Sequence, residues 1–250
     1  MKRMYTDARD TDVVILCGGL GTRMRGISRD VPKPMLQIRG IPFLSLVVDY
    51  MFSYGFERFV LCVGHKWKVI ESYYENNKRE RLKVSLACED KPLDTGGAIK
   101  ETARLVNGKQ FLVLNGDSFC RFNPCELLKF HQEKRAIVSM VLIENPSVKD
   151  YGQVEIDKSS RIRSFNEKDV KTKSYLINAG VYVFDKGVFD LMPEKRKFSL
   201  ERDFFPKMVS GGFYGYVNSG IFVDIGTPQK YKKTEELFSD SGLFKKVFRR

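Results

Sequence analysis

The sequence is poor in patterns that form metal sites or disulfides. Its two histidines, His65 and His131, lie far apart, and its five cysteines include no CxxC pair. Neither a zinc site nor a disulfide framework is therefore indicated. Cys17, Cys62 and Cys88 lie in apolar runs, where a thiol behaves as a small hydrophobic side chain. This use of cysteine predicts a reducing, cytoplasmic setting.

Long apolar runs are also missing. No segment approaches the roughly 20 apolar residues that a membrane-spanning helix needs. Residues 1–12 are charged and do not resemble a signal peptide. The basic segment 244–250 is predicted to be a frayed, solvated tail rather than a contact with a membrane or nucleic acid. We therefore expect no membrane partner.

Acidic residues are outnumbered by basic ones. The chain has 43 Lys and Arg against 31 Asp and Glu, which gives a formal net charge of +12. Such a balance favours anionic partners, namely nucleic acid, anionic lipid or phosphorylated small molecules. Because no nucleic-acid-binding motif is present, a nucleic-acid partner is not expected. The GxGxxG pattern is absent after the first predicted strand, which argues against a dinucleotide-binding dehydrogenase, and no Walker GxxxxGK[ST] loop follows.

The first half instead alternates apolar runs with helical patterns. Strands are predicted at 13–17, 59–63, 84–88, 111–114 and 137–143, and helices at 42–54, 67–77, 97–105 and 124–134. This rhythm predicts a parallel, three-layer α/β sheet. Right-handed crossovers place the loops that follow its strands along one edge.

The second half is less regular. Strands are predicted at 152–156, 162–165 and 176–184, helices at 186–192 and 199–209, a further strand pair at 213–217 and 221–225, and a last helix from Thr227 to about 238. No internal repeat or linker is present. We expect a single domain over 1–250, with divisions near residues 145 and 227.

A glycine-rich segment directly follows the first predicted strand. It comprises Gly18, Gly19, Leu20, Gly21, Thr22 and Arg23. Glycines let the backbone approach a ligand and expose consecutive N–H groups, which suits a polyphosphate. Arg23 adds a cationic fork for phosphate oxygens, and Lys33 is presented from a stiff loop between two prolines.

Two carboxylates follow apolar runs near the same predicted edge. Asn115, Gly116 and Asp117 end the fourth strand, and Asp224 precedes the last helix. The carboxyl edge of an α/β sheet is where ligands bind. Two converging carboxylates suit Mg²⁺, a hard cation that prefers oxygen ligands. Asp117 alone would more often be a turn former.

Together these segments resemble the sugar-1-phosphate nucleotidyltransferases, from about residue 13 to about 237. Residues 16–23 and 89–99 are most similar to the short bacterial heptose 1-phosphate guanylyltransferases. Residues 95–99 are also similar to uridylyltransferases that act on N-acetylmuramate 1-phosphate. The resemblance implies a Rossmann-like mixed sheet in three layers. It implies a nucleotide-binding half at about 1–145, a sugar-binding half at 146–227 and a C-terminal helix and tail at 228–250.

The resemblance also implies roles for individual residues on the nucleotide side. Residues 17–23 would wrap the phosphates, with Arg23 at the β/γ end, and Lys33 would neutralise the α-phosphate. Glu89, Thr95, Gly96 and Gly97 would lie beside the base. Asp117 would bind Mg²⁺ near the ribose, with Asn115 and Gly116 beside it, and Asp224 would be the second metal carboxylate. Cys17 stands where alanine is common and is interpreted as core packing.

On the sugar side the implied residues are Tyr151, Gly152, Glu167, Lys168, Asn178 and Gly180. Glu167 and Asn178 would bind sugar hydroxyls, and Lys168 would hold the sugar phosphate. Asp169 follows Lys168 where the family often has proline, which leaves the setting of Lys168 open. Asn178 has an alternative interpretation, in which it only satisfies neighbouring backbone groups.

The implied reaction joins a nucleoside triphosphate, with GTP favoured, to a sugar 1-phosphate, with the heptose favoured, and releases pyrophosphate. The nucleophilic phosphate is already ionised at neutral pH, so no histidine base is needed. Uridylyl or thymidylyl transfer to N-acetylmuramate, glucose or mannose 1-phosphate remains an alternative. A non-catalytic sensor of nucleotide or sugar phosphate is another. The oligomeric state is open, a homo-oligomer included.

Overall fold

The computed structural model describes residues 8–19, 21–24, 26–27, 30–144, 151–166, 174–209 and 211–248. The strands are β1 (Asp12–Leu16), β2 (Gln37–Ile38), β3 (Ile41–Pro42), β4 (Arg58–Val63), β5 (Lys83–Cys88), β6 (Gln110–Asn115), β7 (Ser118–Cys120), β8 (Val138–Glu144), β9 (Gln153–Ile156), β10 (Ile162–Asn166), β11 (Leu176–Asp185), β12 (Phe213–Asn218) and β13 (Phe222–Asp224). The helices are α1 (Phe43–Ser53), α2 (Trp67–Asn76), α3 (Asp94–Glu101), α4 (Pro124–Lys134), α5 (Val188–Leu191), α6 (Phe205–Met208), α7 (Pro228–Leu237) and α8 (Ser241–Phe248). Short 3₁₀ turns cover Thr22–Met24, Lys33–Met35 and Thr102–Arg104, and a π-helical turn covers Leu200–Phe204.

Within the described residues, the main sheet has nine strands and mixed direction. Its parallel part has the order β5-β4-β1-β6, and β11 adds to β6 in the antiparallel direction. β8 pairs antiparallel with β11 and parallel with β12. The predicted alternation therefore accounts for four parallel strands. The fifth, at 137–143, lies beyond β11 and is not part of the parallel set.

Helices cover both faces of this sheet, as predicted for a three-layer fold. The side chains of Val13 and Ile15 face a core that includes α1 and α4. Val14 faces the opposite core, which includes α3 and α6. β1 is buried on both faces, as expected for a central strand whose apolar run does not alternate.

Three expectations about the second half and the sheet edge are wrong. The strands predicted at 213–217 and 221–225 do not pair with each other, because β12 joins β8 and β13 joins β7. Cys88 is exposed, because β5 is the outer strand of the sheet. The C-terminal segment is not frayed through residue 248, since it forms α8 with Phe244 and Val247 buried.

Helix α8 is tied to the body of the protein by a guanidinium. Arg39 donates hydrogen bonds from Nη1 to the carbonyl of Phe238 at 3.2 Å and to that of Ser239 at 2.6 Å. The guanidinium also lies 5.8 Å from the centre of the Phe244 ring. Cation–π and hydrogen-bond contacts of one side chain thus fix the connection between α7 and α8.

Candidate active site

The glycine-rich segment leaves β1 at the carboxyl edge of the parallel strands. Its first residue, Cys17, continues the sheet by donating its N–H to the carbonyl of Cys62 at 2.8 Å. Burial raises the pKa of the Cys17 thiol well above its usual range. The thiol is therefore a packing group, as predicted, and not a nucleophile.

The segment turns on two glycines with positive φ. Gly19 has φ of +115° and Gly21 has φ of +57°, a region that side chains with a Cβ disfavour. A 3₁₀ turn follows, and it leaves Arg23 exposed beside a cavity. Leu20 lies outside the described residues, and the side chain of Thr22 is likewise not described.

Lys33 reaches the site from its own short turn. Pro34 and Met35 are buried and anchor that turn, and Leu36 N–H closes it on the carbonyl of Lys33 at 3.0 Å. The Lys33 ammonium donates to the carboxylate of Asp117. The proline-flanked lysine and the strand-end aspartate predicted from the sequence are thus brought into contact.

Asp117 and Asp224 lie side by side because two short strands pair. Asp224 in β13 is opposite Ser118 in β7, and Ile225 N–H donates to the carbonyl of Asp117 at 2.9 Å. Just before β7, Gly116 donates its N–H to the carbonyl oxygen of Leu16 at 2.9 Å. A Cβ at Gly116 would lie 2.7 Å from the same carbonyl oxygen, so glycine permits this close approach.

The Asp224 carboxylate is held by several donors. Oδ1 accepts the N–H of Gly226 at 3.0 Å, and Oδ2 accepts the hydroxyl of Tyr151. The ammonium of Lys230 lies 3.1 Å from Oδ2. It also lies 4.1 Å from the centre of the Tyr151 ring. Lys230 was missed by the sequence reasoning, although its place in the first turn of a predicted helix six residues after Asp224 could have indicated it.

Asn178 and Gly180 approach the same place from β11. The Asn178 amide donates to the hydroxyl of Tyr182 at 2.8 Å, and its oxygen accepts the N–H of Gly180 at 2.9 Å. Gly180 has φ of +70°, and a Cβ there would lie 2.5 Å from Nδ2 of Asn115. Asn178 thus satisfies neighbouring groups of its own strand, as the alternative interpretation anticipated, while it also faces the cavity.

These groups line one cavity of about 150 Å³. Its lining residues are Arg23, Asn115, Asp117, Ser118, Tyr151, Asn178, Ala179, Gly180, Phe222, Asp224, Gly226, Thr227 and Lys230. Among the described residues, the buried Oδ1 of Asn115 has no hydrogen-bond partner, so the cavity holds an unsatisfied acceptor. Glu167 and Lys168 lie outside the described residues, so their predicted roles stay predictions.

A second cavity of about 250 Å³ lies on the other side of the glycine segment. It is lined by Leu16, Gly18, Gly19, Glu89, Pro92, Asp94, Thr95, Ala98, Ser199 and Arg202. Glu89 accepts the N–H of Leu93 on Oε2 at 2.9 Å. A Cβ at Gly18 would lie 2.7 Å from its Oε1. Partial burial raises the pKa of the Glu89 carboxyl.

Two of the residues predicted beside the base are engaged by the protein itself. Gly96 and Gly97 both donate their N–H groups to the carbonyl of Phe198, at 2.9 and 3.1 Å. A Cβ at Gly96 would lie 2.2 Å from the Phe198 ring, and one at Gly97 would lie 2.3 Å from the carbonyl of Arg196. These glycines therefore allow α3 to pack against the segment before Ser199. Their place beside a base stays a prediction.

The predicted metal site rests on two carboxylates. Among the residues that the structure describes, no group of three or more His, Cys, Asp or Glu side chains is arranged to hold a metal. Asp117, in the turn before β7, and Asp224, at the end of β13, nevertheless offer hard oxygen ligands to the same cavity. This fits a cation that takes its other ligands from phosphate and water. Over the same described residues, none of the helices is both long and apolar enough to span a bilayer.

Comparison with known proteins gives consistent matches over most of the chain. The family described as Nucleotidyl transferase matches residues 12–240. A D-glycero-alpha-D-manno-heptose 1-phosphate guanylyltransferase of Aneurinibacillus thermoaerophilus is 33% identical over 226 residues, which cover 90% of this chain and 97% of that protein. A mannose-1-phosphate guanylyltransferase of Mycobacterium tuberculosis is 34% identical over 223 residues. These cover 88% of this chain but 62% of that protein, so the chain spans less than two thirds of this relative.

A solved structure gives the same result. HddC from Yersinia pseudotuberculosis is 35% identical, has a TM-score of 0.80 and is matched over 91% of this chain and 99% of its own. A second structure shows HddC complexed with GMP-PN. Since the family match covers nearly the whole chain and the strand order places the glycine segment beside two carboxylates, this chain belongs to the nucleotidyl transferase family.

Proposed function

We propose that this protein transfers a guanylyl group from GTP to D-glycero-alpha-D-manno-heptose 1-phosphate and releases pyrophosphate. The observation that carries the proposal is the pairing of β7 with β13. This pairing brings Asp117 and Asp224 to the cavity that Arg23 of the glycine-rich segment also lines. The heptose enzyme of Aneurinibacillus thermoaerophilus, which this chain matches over 97% of its length, supports the choice of substrates.

The reaction needs positioning and charge neutralisation more than proton transfer. An ionised oxygen of the sugar phosphate forms a bond to the α-phosphorus of the triphosphate. The bond from that phosphorus to the α,β-bridging oxygen breaks, and pyrophosphate leaves with the electron pair. Arg23 and Lys33 lower the repulsion between the two polyanions and stabilise charge on the transferring group. Because the nucleophile carries its charge already, no base is required.

Magnesium fits the donor set as the cofactor. Asp117 and Asp224 would hold it, and both offer carboxylate oxygens that Mg²⁺ prefers. When bound, the ion would act as a Lewis acid at the phosphates and orient them. Each carboxylate is paired with a lysine, Asp117 with Lys33 and Asp224 with Lys230.

The choice of guanine is supported by Glu89. A carboxylate only accepts hydrogen bonds, and guanine presents two adjacent donors, N1–H and the N2 amino group, along one edge. Uracil and thymine have a single N–H between two carbonyl groups. A half-buried carboxylate at the wall of the second cavity therefore favours guanine over these bases.

The compartment that we propose for this reaction is the cytoplasm. All five cysteines are free thiols, and Cys88 is exposed without forming a disulfide. Free thiols persist in a reducing compartment. This assignment agrees with the cytoplasmic supply of nucleoside triphosphates that the reaction consumes.

The test is pyrophosphate release with Mg²⁺ over a matrix of substrates. GTP, UTP, dTTP, CTP and ATP are each combined with heptose, mannose, glucose and N-acetylmuramate 1-phosphates. We expect GTP with the heptose to dominate. If another pair of substrates dominates, the proposed substrates are wrong but the proposed nucleotidyl transfer stands. Nucleotide binding without turnover in any pair would contradict transfer and favour the sensor alternative.

A further inference from the structure

We infer that Lys230 is an internal counter-ion of Asp224. The Lys230 ammonium competes with the divalent cation for the Asp224 carboxylate until the phosphates of the nucleotide bind the lysine instead. The inference rests on the proposed function, because it takes Asp224 as a metal ligand. It makes Lys230 a positioning residue that couples metal binding to nucleotide binding.

The first observation is how fully Asp224 is engaged. Lys230 Nζ and the Tyr151 hydroxyl both contact Oδ2, and Gly226 N–H contacts Oδ1 at 3.0 Å. The Asp224 side chain is 11% exposed and that of Lys230 is 24% exposed. A pair so shielded is screened less than a surface pair. A divalent cation placed on Asp224 would meet an ammonium about 3 Å from the same oxygen atom, and the two like charges repel.

The second observation is that the backbone fixes where the lysine starts. Thr227 caps α7 and accepts the N–H of Lys230 at 3.3 Å. Thr234, one turn further along, donates its hydroxyl to the carbonyl of Asp224 at 3.3 Å. Helix α7 is thus tied to the residue that Lys230 neutralises. The centre of the Tyr151 ring lies 4.1 Å from Lys230 Nζ, and this cation–π contact stabilises the position of the ammonium.

The third observation is that Lys230 differs from its neighbours on the helix. Lys232 is 78% exposed and pairs with Glu236, four residues on, at 3.8 Å. Lys230 instead lines the cavity together with Arg23 and Asp117. Its flexible four-carbon stem lets the ammonium move without moving the helix. Phosphate oxygens that enter this cavity offer it a new partner.

Asp117 and Asp224 are therefore alike in an important respect. Asp117 is paired with Lys33 and Asp224 with Lys230, so each candidate metal ligand is neutralised before the metal arrives. Metal alone must displace a lysine without compensation. Metal that arrives with a polyphosphate brings the anions that accept the lysine. The arrangement predicts weak metal binding to the free protein and strong binding in the presence of nucleotide.

The test measures Mn²⁺ binding to the free protein, without nucleotide or sugar, by the electron paramagnetic resonance signal of free Mn²⁺. Lys230→Met keeps the length of the stem and removes the charge. We expect it to bind Mn²⁺ about fivefold or more tightly than the unchanged protein. Lys230→Arg retains a cation and should bind no more tightly than the unchanged protein. Lys232→Met removes the same charge from the exposed part of α7 and should also leave Mn²⁺ affinity unchanged.

Tyr151→Phe separates charge from hydrogen bonding, since it removes a donor to Asp224 without altering net charge. A Tyr151→Phe gain as large as that of Lys230→Met would overturn the inference. Unchanged or weaker Mn²⁺ binding in a folded Lys230→Met protein, with folding checked by circular dichroism, would overturn it as well. Because the readout needs no turnover, it stands apart from the substrate matrix, whose failure would refute the proposed function alone.

Discussion

The two ends of β1 differ in what their polar groups do. At the amino end, Asp12 is buried and accepts from Arg58 Nε at 2.8 Å, Asn107 N–H at 2.8 Å and Gly108 N–H at 3.3 Å. At the carboxyl end, the Asp117 carboxylate is 32% exposed, and the amide oxygen of Asn115 has no partner among the described residues. At the amino end, which we call the closed end, the carboxylate has hydrogen-bond partners within the protein. At the carboxyl end, which we call the open end, the polar groups face a cavity.

This difference separates groups that stabilise the fold from groups that can contact a ligand, at opposite ends of the paired strands β1 and β6. A buried carboxylate with several donors stabilises the fold, because each donor would otherwise lose its partner. Polar groups that face a cavity are available to a ligand, and the carboxyl edge of an α/β sheet is where ligands bind. Substitutions at the two ends should therefore fail in different assays.

The largest expected effect is at the open end. Asp117→Ala should lower kcat by about 10²–10³-fold, as for the loss of one preorganised electrostatic contact. Its melting temperature should change little, because the side chain is partly exposed and its recorded partner is a lysine. Steady-state pyrophosphate release and thermal unfolding check the two parts. Activity close to that of the unchanged protein would remove Asp117 from the proposed metal site.

The second effect is at the closed end. Asp12→Ala leaves two backbone N–H groups and Arg58 without their acceptor, and should lower the free energy of unfolding by about 2–4 kcal/mol. Activity per folded molecule should not change, since Asp12 lies at the opposite end of β1 from the cavities. Urea denaturation gives the first quantity and kcat under folding conditions gives the second.

Asp10→Ala is the matched control for this change. Asp10 also approaches Arg58, at 3.9 Å, but its side chain is 77% exposed. We expect almost no loss of stability, because exposed ion pairs contribute little. Equal losses for the two variants would mean that burial does not distinguish Asp12, and the comparison of the two ends would fail.

The smallest effect on stability is expected at Glu89, on the open side. Glu89→Gln keeps an oxygen acceptor for Leu93 N–H and removes the charge of a partly buried carboxylate. Burial raises the pKa of this carboxyl, so the charge is costly to bury. Stability should stay the same or rise by no more than about 1 kcal/mol. The preference for GTP over UTP should fall by about tenfold or more, because a charged acceptor for guanine is lost. A preference that survives intact in competition assays would assign base selection to other residues.

Much of this comparison could be predicted from local sequence. The runs at 13–17 and 111–114 are apolar without alternation, and both form strands buried on both faces. Asp117 follows the second of these runs, so its position at the carboxyl edge of the sheet could be predicted from the order of residues. The glycines at 19 and 21 have the positive φ values that a tight loop around a ligand requires.

The remaining features depend on contacts between distant segments. β7 and β13 are three residues long and join residue 120 to residue 222, a pairing that no local pattern records. Cys88 lies in an apolar run but on the outermost strand, and only the strand order shows that it is exposed. A lysine such as Lys230 is typical of an exposed helix position in sequence. Its contact with Asp224 depends on how α7 packs against β13.

The pairing of β7 with β13 also determines when the candidate site is completed as the chain is made. The four parallel strands and the glycine segment are all synthesised by residue 115. About 100 further residues separate Asp117 from Asp224, which takes roughly 5–20 s at about 5–20 residues per second. During that interval β7 lacks the strand with which it pairs in the folded protein, and the cavity between them lacks Asp224. A chain released during that interval therefore contains Asp117 without Asp224.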